Sequence, residues 1–276
     1  MGAVTLHVGD LAAMSAYYRE ALALTELRGT GGPDRVVLGR GRTPVVVLRH
    51  TPGLPATSRN QAGLFHTAVL LDTEEALAAA VAHAARHPLS RFVGNADHGV
   101  SRAFYFTDPE DNGIELYWDR PRDTWQWSGG RVAMGSDWFD PNTYLRRHLD
   151  ETAMRGAAGQ GAGVGHVHLQ VGDLTVARRF YVGALGFEVT ADLPGALFVA
   201  AGGYHHHLAV NTWNSAGAGP RAATLGLGQV SITVPGRDDV DALRDRLRHV
   251  RVPVRDDGRT LRFEDPWSTL VEVAVG

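Results

Sequence analysis

"LHVGDLAAMSAYYREALAL", Leu6 to Leu24, and "LQVGDLTVARRFYVGALGF", Leu169 to Phe187, read alike. Each begins with an apolar alternation, turns at Gly-Asp, and continues as an amphipathic helix for which Asp10 or Asp173 is the natural N-cap. Two weaker copies of the opening exist, "FHTAVLLDTEEALAAAVAHAA" from Phe65 and "QVSITVPGRDDVDALRDRL" from Gln229. Every opening precedes short strands punctuated by turns, so the unit is one strand, one helix and three strands, four times over. Endings repeat as well. "FTDPEDNGIELYW" (Phe106 to Trp118) and "FEDPWSTLVEVAV" (Phe263 to Val275) share Phe, then Asp-Pro, then a strand with Glu115 or Glu272 seven residues after the aspartate. A repeated unit of this size cannot bury its sheet face alone, so the expectation is an α+β chain in which units pair.

The stretch from Arg120 to Gly163 interrupts the repetition. It divides the chain into an N-terminal half, residues 1–119, a linker, residues 120–160, and a C-terminal half, residues 161–276. The middle of the linker predicts a short helix around Tyr144 to Thr152, and its Gly/Ala-rich end predicts a flexible connector.

Composition removes several kinds of chemistry. The 276 residues include no cysteine, which excludes disulfides, thiolate nucleophiles and Cys-ligated metal. Every basic residue other than histidine is arginine, so neither a Schiff base nor a P-loop lysine is available. A net charge of -3 without long runs offers no footprint for nucleic acid or an anionic membrane. No apolar run approaches the ~20 residues of a membrane span, and the N-terminus has no signal pattern, so the expectation is a cytoplasmic protein.

Strand side chains alternate between faces. In "GHVHLQV" (Gly165 to Val171), Val167, Leu169 and Val171 must pack on the helix, which turns His166, His168 and Gln170 toward the concave face. His66 occupies the matching place in "FHTAVLL", and Glu115 takes the same face in "NGIELYW", where Ile114 and Leu116 pack. Two imidazoles and one carboxylate suit a labile octahedral Fe(II) or Mn(II) ion with open positions. His7, His50, His83, His87, His148 and His249 carry no such pattern and are read as solvated or packing residues.

"VGDL...FY..ALGF", "DPEDNGIELYWDRPRDTW" and "GGYHHHLAVNTW" together resemble the vicinal oxygen chelate superfamily of glyoxalases, bleomycin-resistance proteins and extradiol dioxygenases. Within it the chain is most similar to the bacterial catechol-2,3-dioxygenase group, over nearly its whole length. The resemblance implies four βαβββ modules paired into two open barrels. It also implies a metal held by a His from the first strand of one module and a His and a Glu from the first and last strands of its partner. Pairing units one and two leaves Ala3 where a histidine is needed. Pairing three and four offers His166, Gln229 and Glu272. Pairing two with three supplies His66, Glu115 and His166, the complete set, and is the expectation; Gln229 and Glu272 then remain as an incomplete second site.

Further roles follow from the same resemblance. His206 in "HHLAV" matches the acid/base histidine, Tyr105 the tyrosine ten residues before the metal glutamate, and His98 the upstream histidine. His168, His207, Asn211 and Trp213 are candidates for substrate contact, and Phe65 or Trp213 for stacking on the ring. His205 and His207 are expected on the strand face opposite His206. The implied reaction is extradiol cleavage of a catechol-type aromatic in aromatic catabolism, with Fe(II) first and Mn(II) second. Its partners would be a small aromatic diol and O2, with self-association into a homo-oligomer left open. Two alternatives stand beside it: a glyoxalase-like isomerase or lyase, and a metal-free resistance protein that binds a small molecule.

Overall fold

The computed structural model describes residues 1–156 and 161–276. Unit one runs β1 (Val4–Val8), α1 (Leu11–Ala21), β2 (Thr25–Glu26), β3 (Arg35–Arg40) and β4 (Thr43–His50). Unit two follows as β5 (Gly63–Leu71), α2 (Glu74–Arg86), β6 (Arg91–Asp97), β7 (Ser101–Thr107) and β8 (Gly113–Asp119). The linker carries a small hairpin, β9 (Trp127–Ser128) and β10 (Arg131–Val132), then α3 (Pro141–His148) and α4 (Glu151–Gly156). Unit three has β11 (Ala162–Gln170), α5 (Leu174–Arg178) continuing into a π-helical turn, β12 (Glu188–Leu193), β13 (Ala196–Ala200) and β14 (Leu208–Asn211). Unit four closes with β15 (Gly226–Val234), α6 (Arg237–His249), β16 (Val254–Asp256), β17 (Thr260–Glu264) and β18 (Leu270–Val275).

The caps are where the sequence puts them. Asp10 accepts from the Ala13 N–H at 2.9 Å, and Asp173 accepts from those of Thr175 and Val176, satisfying donors that a helix start leaves free. In the linker, the single helix expected over 144–152 is replaced by two. The first starts earlier, because Asp140 caps it and Pro141 occupies its first turn. Of the Gly/Ala-rich connector, residues 157–160 lie outside the described residues, and Ala162 already belongs to β11.

The strands form two curled eight-stranded sheets, each a half-barrel. One has the order β16-β17-β18-β15-β1-β4-β3-β2 and so joins units four and one. The other, β12-β13-β14-β11-β5-β8-β7-β6, joins units three and two. In every unit the first strand lies parallel to the last, and the first strands of paired units meet antiparallel at the sheet centre. The alternation predicted from sequence appears directly in β1, where Val4, Leu6 and Val8 are buried and Thr5 and His7 are only partly so. Strand and helix residues of all four units join one contiguous apolar core, among them Leu6 and Val167 on strands and Leu77 and Leu247 on helices.

The repeated tyrosine and aspartate explain how the sheets are tied together. The Tyr18 hydroxyl in α1 donates to Asp108 Oδ2 at 2.9 Å, and Tyr181 donates to Asp265 Oδ2 at 2.7 Å. The other oxygen of each carboxylate accepts two backbone N–H groups of its own turn, those of Glu110 and Asn112 or of Trp267 and Thr269. These bonds link unit one to two and three to four, crosswise to the sheet pairing. Both Tyr18 and Asp108 are buried. Tyr18→Phe removes one donor from a buried carboxylate and is expected to cost about 1–3 kcal/mol in urea unfolding, with the far-UV spectrum unchanged. A loss below the error of extrapolation would show the bond to be inessential. Among the described residues, no helix is long and apolar enough to cross a membrane.

Candidate metal centre and active-site cavity

The concave face of the second sheet collects the strand-borne histidines because of its register. Ala68 in β5 stands between Glu115 of β8 on one side and His166 of β11 on the other. It is fully buried and small, so the two longer side chains reach over it. His66, two residues earlier on the same strand, shares that face. Gly113 lets β8 begin close beside His66, since a Cβ there would overlap the Phe65 carbonyl oxygen.

These three side chains converge. Glu115 Oε2 lies 2.9 Å from His66 Nε2 and 3.2 Å from His166 Nε2. Their ligand atoms all fall within 4.8 Å of one another, the one such group of potential metal ligands among the described residues. All three are buried, and His66 Nε2 makes no hydrogen bond despite its approach to the carboxylate. A buried imidazole nitrogen without a partner is costly in a purely structural cluster and is what a cation would satisfy. Burial pushes the Glu115 carboxyl up, but His166 and His66 together outweigh it and hold it well below the usual range. Burial holds His166 at about 4, against the pull of Glu115. The cluster therefore offers one carboxylate and a neutral imidazole, the protonation state that metal ligation needs.

A cavity of about 700 Å³ opens over this centre. Of the candidates from the sequence, His206, His168, Tyr105, His98 and Trp213 line it. His207 and Asn211 do not. His207 lies in the loop before β14, half-buried, with Nδ1 toward the Ala201 N–H and its ring against Tyr204. Asn211 is fully buried behind the wall, where its Nδ2 donates to His168 Nε2 at 2.9 Å. It thereby orients a lining residue without reaching the cavity.

The phenol side of the site is held by its own chain of bonds. Tyr105 stands across from Glu115 in the β7–β8 pair. His98 Nδ1 lies 2.6 Å from the Gly135 carbonyl, which can only accept, so Nδ1 carries the proton and Nε2 accepts from the Tyr105 hydroxyl at 2.7 Å. Burial, and then Glu115, push the Tyr105 phenol well above its ordinary value, so it stays protonated. Burial, with neighbouring histidines, keeps His206 well below the ordinary imidazole range. An aromatic wall completes the cavity: Phe65 meets His168 at 4.9 Å and Trp213 at 5.4 Å between ring centroids, both edge-on.

Sequence reasoning missed the part played by the linker. Met134, Gly135 and Ser136 line the cavity, although nothing periodic in that stretch marks it as a wall. It also missed Asp119 and His205, which stand directly behind His206.

In the other sheet the equivalent places are occupied differently. Glu272 Oε2 accepts from Arg262 Nε at 2.6 Å, and Gln229 Nε2 donates to Ser231 Oγ at 3.1 Å. Arg262 faces Glu272 across β17–β18 as Tyr105 faces Glu115, so the carboxylate there is neutralised by a fixed cation.

Residues 1–116 and 163–273 match the Glyoxalase/Bleomycin resistance protein/Dioxygenase superfamily. A catechol-2,3-dioxygenase of Bacillus subtilis (strain 168) is 31% identical over 272 residues, covering 97% of this chain and 94% of that protein. Among solved structures, one from Bacillus subtilis strain 168 aligns with a TM-score of 0.66 at 15% identity, covering 100% of this chain and 85% of the other. Glyoxalase I from Zea mays aligns with a TM-score of 0.59 at 18% identity, covering 100% and 92%. Both likenesses concern the fold. With the repeated units, the paired half-barrels and these matches, the chain belongs to the glyoxalase, bleomycin resistance protein and dioxygenase superfamily.

Proposed function

We propose that the chain is an extradiol dioxygenase, which opens a catechol-type ring beside its two hydroxyls and places both atoms of O2 in the product. The observation that supports this reading best is the convergence of His66, Glu115 and His166 beneath a cavity walled by His206, Tyr105 and His98. The name of the Bacillus relative agrees with it. His66 Nε2, His166 Nε2 and Glu115 would hold a divalent metal, with Fe(II) preferred and Mn(II) second. Such an ion, when bound, chelates vicinal oxygens, lowers their pKa and passes electrons to O2.

The chain's own residues prepare the rest. His206 is unprotonated at neutral pH and accepts a proton from a substrate hydroxyl, then returns it to the opening ring. Tyr105 keeps its proton, which it gives to His98 Nε2 in a hydrogen bond, and its phenol oxygen is left to accept a hydrogen bond from a substrate hydroxyl. Phe65, His168 and Trp213 bound the ring plane and exclude water. The space exceeds an unsubstituted catechol, and Phe92, Val93 and Leu193 add apolar surface at its mouth, which fits a ring with an apolar substituent. The small diol and O2 are the partners, and the enzyme is assigned to the cytoplasm.

A glyoxalase-like isomerase would need a second carboxylate as base. Among the described residues, the carboxylates lining the cavity are Glu115 and Asp111, and Asp111 is exposed and paired with Arg91 at 2.6 Å. Anaerobic loading of metal-free protein with Fe(II), then oxygen uptake on a panel of catechols, tests the proposal. One metal per chain and one O2 consumed per ring opened are expected. An iron-loaded protein that consumes no O2 with any catechol would overturn it.

A further inference from the structure

We propose that Asp119 and His205 are positioning residues that fix the ring tautomer of His206, so that His206 presents an unprotonated Nε2 to the cavity. The assignment rests on the dioxygenase reading for the work that His206 does, and on bond chemistry alone for how it is held.

Asp119, the last residue of β8, lies with Oδ1 2.8 Å from His205 Nε2. A carboxylate only accepts, so His205 Nε2 carries a proton, and in the neutral ring Nδ1 is then an acceptor. His205 Nδ1 lies 2.7 Å from His206 Nδ1, which must therefore supply the hydrogen. The remaining nitrogen of His206, Nε2, is left with its lone pair on the cavity side, beside the His166 ring at 4.0 Å. A histidine free of such a partner favours the opposite tautomer, with the proton on Nε2 and no base to offer.

The chain of bonds is built, not incidental. His205 is fully buried and packs against the Tyr204 ring at 4.1 Å and the Trp125 ring at 5.1 Å. The second oxygen of Asp119 accepts from the Tyr204 hydroxyl at 2.8 Å, and Tyr204 meets the Tyr117 hydroxyl at 2.7 Å. Gly165 makes room for that last group, because a Cβ there would overlap the Tyr117 hydroxyl. Three histidines in succession thus divide their work: His205 holds, His206 reacts, and His207 stands outside.

Histidine ring nitrogens of the full chain, labelled with 15N and read by long-range proton correlation, give the tautomer directly. The His206 signal, identified by its loss in His206→Phe, is expected to show protonated Nδ1 in the metal-free protein, and Asp119→Asn to shift it toward protonated Nε2. In the iron-loaded enzyme, His205→Leu is expected to lower kcat about 10–100-fold, the usual worth of a residue supporting a reactive group, with KM and metal content within about twofold. His205→Gln should recover most of that loss, since its amide offers one donor to Asp119 and one acceptor to His206. Protonated Nε2 on His206 in the wild-type protein would overturn the proposal, as would equal losses in His205→Leu and His205→Gln at full metal content. The spectra decide the tautomer even if no catechol is cleaved, so failure of the dioxygenase reading is separately visible.

Discussion

Glu115→Ala is expected to empty the metal centre, whereas Glu272→Ala leaves the metal content of the chain at the wild-type level. The two glutamates occupy the same place in their repeats, seven residues after the aspartate of an Asp-Pro turn. Their surroundings separate them. Glu115 is buried with two imidazole nitrogens at 2.9 and 3.2 Å. Glu272 is neutralised by Arg262 and, among the described residues, belongs to no group of potential metal ligands. Loss of a direct ligand should exceed the ~10–100-fold that removal of a ligand's outer partner already costs. His66→Ala and His166→Ala should behave like Glu115→Ala. Metal analysis after gel filtration of Fe(II)-loaded proteins is the measurement. Retention of one iron by Glu115→Ala, with loss in Glu272→Ala, would move the centre to Gln229 and Glu272.

His206→Phe is expected to bind metal and catechol and to lose about 10²–10⁴ in turnover, the usual contribution of a positioned acid/base. Phenylalanine can keep the ring contacts with His166 and Phe198, at 4.0 and 5.0 Å, that pack this corner. It leaves the buried His205 Nδ1 without its hydrogen, at a cost of about 1–3 kcal/mol in stability. His206→Asn supplies that hydrogen from its amide but no base. The two variants should therefore differ in unfolding midpoint and agree in lost turnover. Wild-type turnover in either, at full metal content, would remove His206 from the chemistry.

Much of this arrangement is legible in the chain because period-two alternation carries a side chain's direction with it. His66, Glu115 and His166 each sit on a strand whose other residues must face a helix, and the structure brings the three together over Ala68. Parity fails where the strand does. His205 to His207 were expected to alternate, but the chain there is a loop, and β14 begins only at Leu208. His205 consequently turns inward to a residue 86 positions away, a contact no local pattern announces. The linker's contribution was hidden for the same reason, since a loop that forms a wall has no period to betray it. Asn211 was on the expected strand, yet it bonds the back of His168 rather than the cavity, and sequence cannot tell a lining residue from one a layer behind.

The crosswise pairing of units also has a consequence for synthesis. One edge of β1 is covered early by β4, but its other partner is β15, with Val4 against Val230. At about 5–20 residues per second, a ribosome needs roughly 10–45 s to reach that partner after β1 has emerged. Throughout that interval the first strand offers an open row of backbone donors and acceptors to any neighbouring chain. Completion of the first sheet is thus almost the last event of translation, and the nascent N-terminal half is the stage at which a holding chaperone has most to protect.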